Sequence, residues 1–273
     1  MVVATLNDNS RSLLLPIILN VSGSTIHMIR IVYSNKPDIL WAILLTLKEG
    51  KISVLSGLMS SLPNSEVGQL VLCIDLAGSN VSDLDELINK INSIEGVELV
   101  EACQTEYPNL IVNTLIKPMI TVGERAIINH AKGLALALEY LYRRFPVGGK
   151  ALIYYAGYEA GLRLVDLAKE TTDVKDPQKL LVISLSILQA LGYGVFNVES
   201  YSEKEGKLEI RIKAEESPEC EIFKGKKNKP YSQLMRGVLA GIVARTTKRK
   251  ISCNEIKCVA KGDPYCQFII EGI

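Results

Sequence analysis

The chain has 273 residues, 48% of them apolar, with 31 basic against 30 acidic side chains and a formal net charge of +1. That apolar content is enough for two cores, and a charge so close to zero gives no global electrostatic reason to expect nucleic acid or an anionic membrane. No apolar run approaches the ~20 residues needed to cross a bilayer. The short stretch Leu13 to Leu19 follows Asp8 and Arg11 without a small-residue cleavage site, so no secretory signal is read and a cytoplasmic location is expected.

Residues 26 to 104 read as strand, helix, strand, strand, helix, strand. Ile26 to Tyr33 is a β-rich run, broken by Asn35-Lys36-Pro37. The proline opens a helix through Leu40, Ala42, Leu44, Leu45 and Leu47 that ends at Gly50. Lys51 to Leu62 and Gly68 to Leu76 are the next strands. Ser82 is the expected N-cap of a second helix, with Asp85 as the capping-box acid and Leu84, Leu87, Ile88 and Ile91 on one face. Val97 to Cys103 closes the unit. This order is a split βαβ, a ferredoxin-like sheet with two helices on one face.

On these residues the segment resembles an ACT domain, a regulatory module that pairs sheets between subunits and binds amino acids at the pairing edge. The family's first turn, Asn-x-Pro-Gly-x-Leu, here reads Asn35-Lys36-Pro37-Asp38-Ile39-Leu40. Asp38 stands where the family's glycine lets the backbone approach an amino-acid ligand, and its carboxylate would repel that of the ligand. A dimerisation module, with Asp38 at the helix start, is the reading favoured over amino-acid binding.

Tyr107-Pro108 marks a junction, which sets two domains at 1–106 and 107–273. A strand-rich linker runs from Leu110 to Val122. Helices are expected at Ala126 to Phe145, Leu152 to Lys169 and Leu180 to Leu191, strands at Val195 to Tyr201 and Lys207 to Ala214, then a helix after Pro230. Nine of the eleven tyrosines and all four phenylalanines lie beyond residue 139, so an aromatic-lined site belongs in this half. Cys258 and Cys266 are equidistant from Gly262 in Gly262-Asp263-Pro264, a strong turn signal between two strand-like flanks. Glu255 completes Glu-x2-Cys-x7-Cys, two soft ligands and one hard one, a set that suits zinc. Glu255 and Cys258 are three apart, so a bulge or strand end must bring them to one side. Six cysteines in so long a chain do not form a disulfide framework, and Cys73 and Cys103 read as small buried hydrophobes.

From about residue 119 to 273 the chain resembles the 4-vinyl reductase domain family. The matching residues are Gly157-Tyr158-Glu159-Ala160-Gly161, Arg236-Gly237-x3-Gly241 and Glu255-x2-Cys258-x2-Lys261-Gly262-Asp263-x2-Cys266. The family includes sensor domains of phenol-responsive activators and is related to subunits of vesicle-tethering complexes. The resemblance implies an α+β domain with a helical layer, a small antiparallel sheet and a C-terminal β-hairpin, an apolar pocket between helices, and a dimer. It also implies Glu255, Cys258 and Cys266 as zinc ligands, with Ser232 at the place of a fourth cysteine. Serine is a poor zinc ligand, so the fourth donor stays open, with Cys253 and Cys220 as substitutes. A metal-free thiol pair or a cross-strand disulfide is the competing reading.

Gly157 with Gly161, and Gly237 with Gly241, are each one turn apart. Each interior glycine costs about 1 kcal/mol relative to alanine, so close helix packing should compensate, or a ligand should lie beside the helix. Tyr154 and Tyr158 share a face with Gly161. Together with Tyr140 and His130 they are the candidate ligand-binding residues, since tyrosine combines an apolar ring with a hydroxyl that fixes a ligand's polar end. Such a stripe is also what a core or a dimer interface uses.

No nucleophile arrangement accompanies His27 or His130, and no phosphate-binding glycine motif is present, so no catalytic residue is read and the chain is taken as a non-enzyme. Between Glu221 and Glu255 there is no acid, while nine lysines and arginines fall between Lys224 and Lys250. This segment could meet an acidic partner or phosphates, but no DNA-reading motif accompanies it. The functional expectation is a dimeric sensor of a small hydrophobic ligand, aromatic or acyl, that signals through a regulatory protein partner. The alternatives are a structural adaptor, a direct nucleic-acid binder, or an enzyme acting on a vinyl or phenolic substrate.

Overall fold

In a computed structural model the described residues are 15, 17–21, 25–103, 110–116, 120–121 and 124–272. The chain divides into two compact units, Met1–Met119 and Ile120–Ile273. The expected junction at Tyr107-Pro108, with the boundary between 106 and 107, lies outside the described residues, as do Asp8 and Arg11.

The first unit runs β1 (Ile18–Asn20), β2 (Ile26–Ser34), α1 (Pro37–Glu49), β3 (Ser53–Ser60), β4 (Val67–Asp75), α2 (Leu84–Asn92), β5 (Val97–Cys103) and β6 (Leu110–Val112). The sheet is antiparallel in the order β3-β4-β2-β5. Alternation decides its two cores: Ile29, Ile31, Tyr33, Leu70, Leu72 and Ile74 meet the helices, through Ile43, Leu47, Leu87 and Ile91. Met28, Val71 and Cys73 face the other way, onto Leu19 and Ile111 of the antiparallel pair β1 and β6. Burial on both faces explains the unbroken apolar run Leu70 to Ile74.

Both helices begin where the chain offers a start. Pro37 opens α1, with Asp38 exposed in its first turn. The cap of α2 is one residue later than expected: Asp83, not Ser82, accepts the Glu86 N–H at 2.8 Å. Glu86, not Asp85, is the acid that reaches back, taking the Ser82 N–H at 2.6 Å and hydroxyl at 2.8 Å. Lys90 and those Ser82 bonds hold the Glu86 carboxyl down at about 2.

The second unit runs β7 (Ile120–Thr121), β8 (Glu124–Arg125), α3 (Ala131–Arg144), α4 (Gly149–Thr171), α5 (Pro177–Ala190), β9 (Val195–Lys204), β10 (Lys207–Glu215), α6 (Gln233–Thr247), β11 (Ile251–Lys257) and β12 (Cys266–Gly272). Its antiparallel sheet has the order β11-β12-β10-β9. α5 starts three residues before the expected Leu180, because Pro177 is its first residue and Asp176 accepts the Lys179 N–H at 2.8 Å. α4 likewise starts early, at Gly149, while α3 starts late, after His130.

α6 is the centre of this unit. Every residue from Gly237 to Ala244 is buried, so the helix is apolar all round rather than amphipathic. It lies against the inward side chains of the sheet, including Ile210, Ile212, Phe268 and Ile270. Its other side meets α4 backbone to backbone. A methyl at Gly157 would overlap the Leu234 carbonyl, one at Gly161 the Val238 carbonyl, one at Gly237 the Tyr154 carbonyl and one at Gly241 the Tyr158 carbonyl. Four glycines thus make a reciprocal seam that fixes the two helices in register.

Candidate metal centre and apolar cleft

The loop after β10 carries Cys220, β11 carries Glu255, and Cys258 and Cys266 flank the turn into β12. Their donor atoms lie within 4.8 Å of one another, and all four residues are buried. A register shift in the β11–β12 pairing between Glu255 and Lys257, followed by the end of the strand, lets two residues three apart converge. Gly262 takes a left-handed φ of 111°, and Asp263 accepts the Cys258 N–H at 2.8 Å, which closes the turn. Cys220 is thus the fourth donor that the sequence left open. Cys253 is buried but lies outside the cluster, and Cys220, Cys258 and Cys266 are free thiols.

The donor set suits a soft divalent ion. The Cys220 and Cys258 sulfurs are 3.7 Å apart. A tetrahedral centre with metal–sulfur bonds of about 2.3 Å needs sulfur–sulfur edges of about 3.8 Å. The electrostatics point the same way. Burial pushes the Glu255 carboxyl up to about 8, and hydrogen bonds from the Cys220 and Cys266 thiols pull the Cys258 thiol down. No lysine, arginine or histidine among the described residues is buried with this group. Four acidic donors enclosed without a cation are costly to ionise, and a bound metal removes that cost.

Ser232, where the resemblance implies a cysteine, supports the set from outside. Its hydroxyl donates to Glu255 Oε1 at 2.7 Å and lies 3.0 Å from Cys220 Sγ. Glu255 Oε2 accepts the N–H groups of Tyr231 and Ser232, both at 3.0 Å. A second buried carboxylate, Glu219, adjoins Cys220 and takes the Tyr142 hydroxyl at 2.6 Å and the N–H groups of Leu234 and Met235 at 3.1 Å. Burial raises Glu219 to about 7. The free N–H groups at the start of α6 are therefore satisfied by two carboxylates from elsewhere in the chain.

A cleft of about 350 Å3 is walled in part by the same helix start. Its walls are Ala160, Leu164 and Leu167 of α4, Leu188 and Leu191 at the end of α5, Tyr193, and Leu234 and Val238 of α6. Its rim holds Glu124, Arg125, Ile127 and Arg163. Arg163 donates to both Glu170 oxygens, at 2.8 and 3.1 Å, and to Glu124.

None of the five residues expected at a ligand site lines this cleft. Tyr154 and Tyr158 are half-buried against the core beside α6, and the Tyr154 ring lies under the Arg236 guanidinium, 5.6 Å away. Gly161 is filled by the backbone of α6. Tyr140 is exposed on α3, and His130 is an exposed N-cap residue that makes no side-chain cap. The cleft residues carried no sequence signal, because leucines at helical spacing read as core. Glu219 was hidden for a similar reason, having no motif partner near it in the chain.

The basic segment is partly neutralised. Lys227 pairs with Glu139 at 2.9 Å, Arg245 with Asp166 at 2.8 Å and Arg249 with Glu203, while Arg236 donates to the Cys253 carbonyl at 2.9 Å. Among the described residues no helix is long and apolar enough to cross a membrane.

A protein of Methanocaldococcus jannaschii with no assigned function is 25% identical over 126 residues, which covers 45% of this chain. The chain spans 65% of that relative's length, just under two thirds. Among solved structures, the phenol-responsive sensory domain of the transcription activator PoxR is 18% identical over 55% of this chain and 78% of its own, with a TM-score of 0.48. A vinyl-4-reductase family protein of M. jannaschii is 16% identical over 56% of this chain and 86% of its own, with a TM-score of 0.35. Over residues 210–272, from β10 to the end of β12 and including all four clustered donors, this chain matches the 4-vinyl reductase domain family.

Proposed function

We propose that the second unit is a non-enzymatic sensor module that binds a small hydrophobic molecule, aromatic or acyl, in the cleft. In this reading a zinc ion held by Cys220, Glu255, Cys258 and Cys266 staples the start of α6 to the sheet. The observation that carries it is the cleft of about 350 Å3, walled by apolar side chains of three helices and lying beside a seam too close-packed to open. That volume is at the small end of the ~300–1,000 Å3 range of ligand pockets. Three thiols and a carboxylate with their donor atoms within 4.8 Å of one another favour zinc over harder ions. Occupancy is passed to a regulatory protein partner from a cytoplasmic homodimer.

Two measurements on the full chain test this. Elemental analysis of protein purified without added metal should give a zinc-to-protein ratio near one, and a value near zero removes the metal. A thermal-shift panel of phenols, naphthols, and medium-chain alcohols and acids should contain saturable stabilisers, and a panel without one removes the ligand.

A specific observation also supports an assembly role. Leu136 and Tyr140 of α3, Phe145 and Val147 of the following turn, and Leu152 and Tyr155 of α4 are all exposed. A second copy covering these residues would account for them. Light scattering should then report a dimer, and Tyr155→Asp should shift it towards monomer.

A further inference from the structure

The metal cluster and the cleft meet the same turn of helix. Glu219 is 2% exposed and directly precedes Cys220 in the chain. Its carboxylate ties three elements together: the Cys220 loop, α3 through the Tyr142 hydroxyl, and α6 through the N–H groups of Leu234 and Met235. From the other side, the cluster residue Glu255 takes the N–H groups of Tyr231 and Ser232. Every one of these four N–H groups thus ends on a metal-cluster residue or on its chain neighbour. Leu234 and Val238, one turn apart on the same helix, are the α6 wall of the cleft.

We infer that the metal centre sets the shape of the cleft through the first turn of α6, with Glu219 as the positioning residue. The inference rests on the reading that the cleft binds hydrophobes. Drawing Cys220 and Glu255 towards one ion fixes both carboxylates that hold the helix start. Releasing the ion lets four acidic groups, three of them thiols, relax apart and take Glu219 with them. The axis of α6 cannot follow, because the Leu234 and Val238 carbonyls are seated against Gly157 and Gly161. The change is therefore expressed ahead of that seam, in the chain from Tyr231 to Gln233, and reaches the guest through the Leu234 side chain. Linkage makes the effect reciprocal: a guest that prefers the metal-set cleft must tighten metal binding by the same factor.

The test uses the full chain with 1-naphthol as the cleft probe and cobalt(II) in place of zinc. A tetrahedral cobalt–thiolate centre absorbs in the visible, so the metal reports directly on its surroundings. Saturating 1-naphthol should change the cobalt band, and zinc-loaded protein should bind 1-naphthol about fivefold more tightly than chelated protein, the low end of measured couplings. In Glu219→Gln, cobalt should still bind with a ratio near one, but its band should no longer respond to 1-naphthol. Tyr142→Phe, which removes one Glu219 bond and leaves the carboxylate, should weaken the response if Glu219→Gln does not fold. Ala160→Trp, at an exposed wall position, should abolish 1-naphthol binding. If 1-naphthol binds the wild type and not Ala160→Trp, yet the cobalt band and the affinity ignore it, the coupling is overturned and the cleft reading stands. If 1-naphthol does not bind, or binds Ala160→Trp equally well, the cleft reading falls and the coupling with it.

Discussion

At the scale of single residues, the cluster turns on a cysteine with no motif around it. Cys220 lies 35 positions before Glu255 and reaches it only because β10 returns the chain to the start of α6. The compact half, Glu255, Cys258 and Cys266, could be read from the sequence because one turn holds all three. Cys220 and Cys253 were equal candidates there, and only tertiary structure separates them. The separation predicts two different outcomes for the same substitution. Cys220→Ser should weaken zinc by more than about 100-fold, beyond what losing a supporting hydrogen bond costs a metal site. Cys253→Ser should leave zinc affinity within about threefold and instead cost about 1–3 kcal/mol of stability, since it buries a hydroxyl in an apolar place. Competition against a chromophoric chelator measures the first, and denaturant unfolding the second. Equal zinc loss in both variants would mean that Cys220 is not a ligand. Ser232 shows what position alone can mislead about: it sits where a ligand was implied, but its hydroxyl supports Glu255 instead.

At the scale of elements, the pairing of α4 with α6 sets what the second unit can accommodate. Glycines one turn apart on each helix could be read as close packing or as room for a guest, and the sequence left both readings open. The carbonyl oxygens seated on all four glycines decide for packing. Space is found one face round α4, at Ala160, Leu164 and Leu167. Helical periodicity gave the number, order and type of the long elements because their apolar stripes are strong. It placed their ends less well, since caps such as Asp83 and Pro177 act over one or two residues. β1 was missed because a three-residue strand has no period to detect, while β6 falls at the start of the strand-rich linker expected from Leu110 to Val122. The seam makes a sharp prediction. Gly161→Ala should destabilise the second unit by about 2–3 kcal/mol, because a methyl group would press on the Val238 carbonyl and force two helices apart. Gly133→Ala, in α3 with open space around the new methyl, should instead stabilise by about 0.4–1 kcal/mol. Thermal or urea unfolding of the two variants checks both signs, and a neutral Gly161→Ala would mean that the helices are not in contact there.

At the scale of the whole molecule, the two units draw on separate cores. The first is built on Ile29, Ile31, Leu72 and Ile74 with its two helices, the second on α6 and the inward face of its own sheet. All four clustered donors lie between residues 220 and 266, inside the second unit. An ion bound only by the folded state stabilises the unit that holds it by mass action, and has no direct effect on a unit that contributes no ligand. Calorimetry of the full chain should therefore resolve two transitions. Excess chelator should lower one of them, the one that cobalt or zinc restores, and leave the other within about a degree, because its unit loses no bound ion. Amide exchange can assign the transitions, as protection of Ile29 to Ile31 should survive chelation while that of Gly237 to Ala244 should fall. A single transition moving as a whole would show that the units unfold as one cooperative body.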